Sequence, residues 1–388
     1  MRRILFSLTY YSPYISGLTL YVKRLAEALS KKGYRCLVIS NQYHKNLSQE
    51  EVLNGVRVVR AKPLFKISKG YISWDWITKS FTEVKKTDGV VVNLPQFEGI
   101  IPVVLGRLLG KRVISIYHCE VILPSGLGNK IVNFFLNLSN SLSLFLSDDI
   151  VTYTEDFAKN SKILESFLRK VDYIYPPIDV PKIDKRVQEV IKKKVGEQYD
   201  YLIGVAARLS AEKGIEYLLE GIPVINDTMQ QFSNVTMEGN NFKIAIVGPM
   251  EPVGEEKYKR RIMSLVEKYK DYVVFLGEVK SEDMGSFYSL IDVLVLPSIN
   301  STEAFGMVQV EAMMVGVPVV ASDLPGVRVP IQKTGMGKIV PIKDSHKLAE
   351  AVVEVLVNKK KYVKDKEFIT EKFSIENTIN FYNILFKK

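Results

Sequence analysis

Short, nearly continuous apolar runs alternate with stretches of helical period along this chain, and the alternation occurs twice. In the first half the runs are "RILFSLT" (3–9), "RCLVIS" (35–40), "VRVVR" (56–60), "GVVVN" (89–93), "RVISIY" (112–117), "DIVTY" (149–153) and "DYIY" (172–175). Runs of this length, rich in Val and Ile, predict strands buried on both faces. Between the first two lies 18–32, with Leu18, Tyr21, Val22, Leu25, Ala26 and Leu29 on one helical face and Gly33 as the stop. The second half repeats the scheme with "YLIGVAA" (201–207), "FKIAIVG" (242–248), "YVVFLG" (272–277), "VLVLP" (293–297), "VPVVAS" (317–322) and "GKIVPI" (337–342). The pattern predicts an α/β protein made of two doubly wound, Rossmann-like parallel-sheet domains. The proline-rich "YPPIDVPK" (175–182) marks the junction and sets the domains at 1–176 and 177–373. The amphipathic tail 374–388 places Ile375, Ile379, Tyr382 and Phe386 on one face and is expected to pack back on the first domain. Open parallel sheets bind ligands beyond the carboxyl ends of their strands, so two facing sheets would form a cleft.

Composition refines this without changing it. With 388 residues, 47% apolar and 25% charged, the chain is of globular type and long enough for more than one core. Two cysteines, Cys36 and Cys119, make no disulfide framework, and Cys36 falls in a strand; both fit a reducing, cytoplasmic setting. The start "MRRILFSLTYYSPY" reads as a first strand and not as a signal peptide. No segment has the roughly 18 continuous apolar residues of a spanning helix. The uncharged "IVNFFLNLSNSLSLFLS" (131–147) comes nearest, and its Asn and Ser predict a buried or interfacial helix. Charge is uneven: residues 1–175 carry 24 Lys and Arg against 14 Asp and Glu, whereas 176–388 carry 29 of each. The first half would thus suit an anionic partner such as a membrane surface, an anionic glycan or nucleic acid; the plainer reading is a lysine-rich surface kept for solubility.

Two strand ends carry the candidate chemistry. "RLSAEKG" follows the 201–207 run and places Arg208 and Lys213 five residues apart beside Gly214. A bidentate Arg and a point-charge Lys suit a diphosphate, although the same pair would serve as surface cations near a turn. "STEAFGMVQVEAMMVGVPVV" follows the 293–297 run, with Glu303 in the loop and a helix from Gly306. Gly306 lets a ligand approach the backbone, and the amides of Met307 and Val308 would offer phosphate-binding N–H groups at a helix start. Glu311, a turn further in, could accept from two adjacent hydroxyls of a ribose; equally, both glutamates could be satisfied by neighbouring Arg or backbone groups.

Together these residues resemble the signature pair of family 4 glycosyltransferases, retaining enzymes of the GT-B fold. "EAFGMVQVE" matches the family's two glutamates with seven residues between, and "FLGEVKSEDMGSFYSLIDVLVLPS", "GVPVVAS", "SPYISGLTLYVKRLAEALSKKGY", "IYHCE" and "YPPID" fall in the family's order. The resemblance covers essentially the whole chain. It implies that Arg208 and Lys213 contact the donor diphosphate, Glu311 the ribose, and Glu303 the donor sugar with the backbone of Phe305 and Gly306. It implies that the Met307 and Val308 amides face the distal phosphate and that Val279 and Gly248 border the base. His118 resembles the active-site histidine beside the transferred sugar, and Gly17 a glycine near donor phosphate and acceptor. Glu120 stands where relatives often have Asp and is an acceptor-side candidate. The first loop reads Ser16-Gly17 where the family often has two glycines, and Arg328 stands near a usual acid.

The implied reaction is transfer of a mannose- or glucose-type hexose from a GDP- or UDP-linked donor to a glycan or lipid-linked acceptor, with front-face attack and retention. No cofactor or metal is expected, since no Asp-x-Asp triplet occurs and the family generally works without metal. The basic first domain and the 131–147 segment suggest peripheral work at an anionic cytoplasmic membrane face. Other readings are a GT-B epimerase or phosphorylase and a non-enzymatic nucleotide-binding module. No nucleic-acid partner is expected, for want of an aromatic RNA-binding motif. A dinucleotide oxidoreductase is disfavoured because no Gly-x-Gly-x-x-Gly follows the first strand of either half.

Overall fold

A computed structural model describes residues 2–67, 70–123, 126–232, 242–250 and 255–387. Contacts divide them into two units. The first takes the chain up to Pro177 and again from Ser374; the second runs Ile178–Phe373.

Unit 1 contains β1 (Arg3–Ser7), β2 (Arg35–Asn41), β3 (Glu50–Leu53), β4 (Val56–Ala61), β5 (Phe65–Ile67), β6 (Gly70–Ile72), β7 (Gly89–Leu94), β8 (Arg112–Tyr117), β9 (Asp149–Thr152) and β10 (Val171–Tyr173). Eight of them form one sheet in the order β10-β9-β8-β7-β1-β2-β4-β3, and β5 pairs with β6 in a separate hairpin. Among the described residues, only β3 runs antiparallel to its neighbour in the large sheet. The strand β7 shows why central strands read as unbroken apolar runs, because all six of its residues are buried. Chain order reverses between β1 and β7, which makes their carboxyl ends a topological switch point.

The helix Gly17–Lys31 buries Tyr21, Val22, Leu25, Ala26 and Leu29, and it begins where the Ser16 side chain accepts from the Thr19 amide. This cap accounts for the Ser16-Gly17 pair. Ser16 is in extended backbone (φ −153°) that any residue adopts, and its hydroxyl supplies a capping bond that glycine could not. The helix Ile375–Lys387 belongs to unit 1: Tyr382 meets Tyr21 hydroxyl to hydroxyl at 2.7 Å, and Tyr34 donates to Asn383 Oδ1 at 2.5 Å.

The helix Leu127–Leu146 departs from the usual arrangement of apolar residues. Its buried residues are Ser139, Asn140, Ser143 and Leu144, while Leu127, Ile131, Phe134, Leu138, Leu142 and Phe145 lie exposed on the other side. The small polar side chains fit close to the unit: Ser139 Oγ donates to Phe97 O at 2.7 Å, and Asn140 Oδ1 accepts from the Gln96 amide at 3.2 Å. Among the described residues, no helix is long and apolar enough to cross a membrane.

Unit 2 contains β11 (Tyr201–Ala206), β12 (Phe242–Val247), β13 (Val273–Gly277), β14 (Val293–Leu296), β15 (Val319–Ser322) and β16 (Gly337–Val340), all parallel in the order β13-β12-β11-β14-β15-β16. Its core joins Ile203, Val205, Ile244, Val293 and Val320 of the sheet to Leu218, Ile225, Leu348 and Val352 of the covering helices. The switch point here lies between β11 and β14.

Candidate active site

The two motifs follow β11 and β14, the strands on either side of the unit 2 switch point, so topology alone brings them together. Backbone contact completes the approach. After β11 the chain turns through Ala211–Lys213 to Gly214, whose φ is +61°. A Cβ on Gly214 would lie 2.3 Å from the Pro297 carbonyl oxygen, so only glycine lets the turn sit against the end of β14. The Ile299 amide then donates to Glu212 O at 3.0 Å. This seating places Lys213 Nζ 2.6 Å from Glu303 Oε2, with the two side chains about one-fifth exposed.

Arg208 is also paired, through Nη2 to Glu212 Oε1. The cations expected to meet a diphosphate therefore each have a carboxylate partner, and they are held in place by it. Gly248 abuts the same strand end: its φ is +142°, and a Cβ there would stand 2.2 Å from Ala207 O. Its amide donates to Gly277 O at 2.9 Å. Val279 lies half-buried in the loop after β13.

Gly306 opens the helix Met307–Met314 in left-handed backbone (φ +74°), and no side chain caps that end. The uncapped start leaves its first N–H groups, including those of Met307 and Val308, directed out of the helix. Phe305 is buried and packs edge-on against Phe373 at 6.2 Å. Gln309 clamps this corner by donating from Nε2 to Phe305 O at 2.5 Å and to Val327 O at 2.8 Å. Glu311 is buried, and its Oε2 accepts from the Tyr288 hydroxyl at 2.8 Å. Arg328 pairs with Asp323 at 2.9 Å. Unit 2 thus brings Arg208, Lys213, Gly248, Glu303, Gly306 and Glu311 to the carboxyl edge of one sheet.

In unit 1, His118 follows β8 and its amide donates to Leu94 O at 2.9 Å. It is 3% exposed. Asn93, in the otherwise apolar β7, donates from Nδ2 to Ser7 O, so its oxygen faces the imidazole at 2.9 Å. Nε2 is therefore the protonated nitrogen, and Nδ1 accepts from the Tyr153 hydroxyl. Burial pushes the His118 pKa down to about 3, so the ring is neutral at physiological pH. An unfolded histidine takes a proton near pH ~6.5. Its contribution to stability is therefore complete above that pH and is lost as pH falls toward the folded value.

Gly17 is the exposed first residue of its helix. Glu120 accepts at Oε1 from Ser161 Oγ (3.0 Å) and from the Lys162 amide (2.9 Å), and so ties the 161–162 segment to the end of β8. Sequence reasoning missed Glu212, Tyr288, Asn93 and Tyr153. Of these only Asn93 carried a signal, as the one polar residue in "GVVVNL".

A family model described as Glycosyltransferase Family 4 matches residues 15–181, and one described as Glycosyl transferases group 1 matches 187–371. The chain is 28% identical to an uncharacterized glycosyltransferase of Methanocaldococcus jannaschii, over 95% of each protein. It is 36% identical to the phosphatidyl-myo-inositol mannosyltransferase of Mycobacterium leprae, over 38% of this chain and 34% of that one. Its fold is similar to that of Anabaena HepE solved with UDP and glucose, at a TM-score of 0.75, 16% identity and full coverage of both chains.

Proposed function

From the premise that this chain belongs to glycosyltransferase family 4 and has the GT-B fold, with both family domains in series, we propose that it transfers a hexose of mannose or glucose type from a nucleotide diphosphate sugar, with retention. The observation that carries this reading is the seating of Gly214 on Pro297, which joins Lys213 to Glu303 across the unit 2 switch point.

In the reaction, the donor's anomeric C–O bond breaks and its electrons pass to the diphosphate. The acceptor oxygen bonds to the same carbon on the same face, and its proton passes to the departing phosphate oxygen. Lys213, Arg208 and the amides at 307–308 meet the charge that grows on that oxygen, without a metal. Glu303 shares Lys213 with the diphosphate and accepts from donor-sugar hydroxyls. Glu311, oriented by Tyr288, accepts from the ribose. His118, neutral and held by Asn93 and Tyr153, is assigned to the sugar side.

Thermal-shift titration with UDP, GDP and ADP and their hexoses tests the donor reading. One nucleotide is expected to raise the midpoint, and Glu311→Ala to erase that rise. NMR of the product is expected to give the donor's anomeric configuration; an inverted product overturns the reading.

The acceptor in this proposal is a glycan or a lipid-linked glycan at the cytoplasmic membrane face. Support comes from the exposed apolar stripe on Leu127–Leu146 and from the positive charge of the first half of the chain. The Mycobacterium leprae relative is itself named for a phosphatidylinositol. The chain is expected to sediment with vesicles containing an anionic phospholipid at low salt, and Phe134→Asp with Phe145→Asp to abolish this. Recovery in the supernatant at low salt would instead favour a soluble acceptor.

A further inference from the structure

We propose that Tyr382, on the helix Ile375–Lys387, is a positioning residue for His118: its hydroxyl fixes the tilt of the Tyr21 ring, and that ring braces both the imidazole and Tyr153. The proposal rests on the transferase reading only for His118's place beside the sugar.

Topology gathers the group within unit 1. Asn93, His118 and Tyr153 stand at the carboxyl ends of β7, β8 and β9, three adjacent strands. Tyr21 lies on the helix Gly17–Lys31, one turn after Gly17. Tyr382 arrives from the far end of the chain, and its side chain is as fully buried as that of Tyr21.

The hydrogen bonds of His118 depend on what lies behind them. Asn93 is tied to backbone, through Ser7 O at 3.1 Å. The Tyr153 hydroxyl, which donates to Nδ1, is carried by a ring that lies against Tyr21 at 5.6 Å and 36°. Tyr21 also meets the imidazole directly, edge to face, at 4.8 Å and 85°. Tyr21 is thus common to both contacts. A tilt of its ring moves the imidazole and also the hydroxyl from which the imidazole accepts.

The tail sets that tilt. Tyr21 and Tyr382 meet hydroxyl to hydroxyl at 2.7 Å. Burial pushes both phenols well above their ordinary range, so the bond joins two neutral groups. Phenylalanine would fill the same space with no polar atom to satisfy, so packing alone gives no reason for two tyrosines here. Other bonds hold the tail in place: Thr378 Oγ1 donates to Tyr175 O at 3.0 Å, and Asn383 accepts from Tyr34. Loss of one hydroxyl therefore leaves the helix on unit 1.

The bond predicts an asymmetry between its two ends. Tyr382→Phe leaves the Tyr21 hydroxyl buried without its partner, so the Tyr21 ring turns and carries His118 with it. Tyr21→Phe leaves the orphan hydroxyl on Tyr382, which does not touch His118. Changing both removes the orphan altogether. The two single variants are expected to lower the thermal midpoint alike. In steady-state kinetics Tyr382→Phe is expected to lower kcat about tenfold with donor KM unchanged, Tyr21→Phe only about twofold, and the double variant to regain most of the loss. Nitrogen NMR on the full chain, with labelled histidine, reads His118 without a donor. His44 and His346 are exposed and exchange their ring protons with water, whereas buried His118 is expected to keep an Nε2–H signal. That signal is expected to shift in Tyr382→Phe and to return in the double variant. The proposal is overturned if the signal is the same in Tyr382→Phe as in the parent, or if the two single variants lose kcat equally, since the pair then acts through stability alone. A signal that shifts and returns as expected in a protein that turns over no nucleotide sugar would retain Tyr382 as the support of His118 and sink the transferase reading.

Discussion

Replacing Lys213 with alanine is expected to lower kcat about 10²–10³-fold with the nucleotide sugar that the thermal-shift titration identifies. The reason lies in how the residue is held. Its ammonium is one-fifth exposed and 2.6 Å from Glu303, on a turn fixed by the Gly214 contact and the Ile299 bond. Such a charge needs little rearrangement as the leaving diphosphate develops, so its loss falls on the transition state more than on donor binding. Removing it also leaves Glu303 without its cation beside incoming phosphate, which adds repulsion. Lys213→Ala and Glu303→Ala are therefore expected to be non-additive, the double variant losing less than the product of the two single losses. Arg208→Ala is expected to cost less, since Arg208 is one-third exposed and its pairing with Glu212 is local. Steady-state kinetics on the four variants decide the matter. Equal losses in donor affinity and unchanged kcat would assign Lys213 to ground-state binding alone.

The same residues show what the sequence made legible. Every strand of apolar period appears where its pattern places it, and the two motifs follow strands that prove to be neighbours across a switch point. Strand β3 escaped notice because "EEVL" is a partly exposed edge strand, and its glutamates belong to pairs with Arg57 and Arg60. The short hairpin β5–β6 lacks the length for a period. Partners across space were not legible either. Nothing in "MGSFYSLID" marks Tyr288 as the residue that orients Glu311, and Glu212 reads as one more charge in a turn. For the helix Leu127–Leu146, the Asn and Ser of 131–147 predict a buried or interfacial position but do not say which side faces in. Which side faces in was set by the small serines and Asn140, whose hydrogen bonds fix it to Phe97 and Gln96.

Gly214→Ala is expected to damage both stability and transfer, and Gly335→Ala separates the causes. Both glycines have left-handed backbone, at φ +61° and +71°. Alanine pays about 1–2 kcal/mol in that region wherever it stands. At Gly335 the nearest atom to a new Cβ is Lys364 Cε at 3.7 Å, an ordinary contact, so strain is the whole effect. At Gly214 the new Cβ would collide with Pro297 O at 2.3 Å and Ile299 Cγ2 at 2.8 Å. The oxygen belongs to backbone at the end of β14 and cannot rotate away, so the turn and the 298–303 loop must part. Parting them breaks the Ile299 bond to Glu212 O and draws Lys213 from Glu303. A displacement of about 1 Å at positioned groups costs on the order of 10²-fold in rate. The expected result is a small midpoint shift with kcat kept for Gly335→Ala, against a larger shift with kcat lost for Gly214→Ala. Were the two variants to keep the same activity, the contact between the two motifs would have no part in transfer, and the donor site would have to be sought without it.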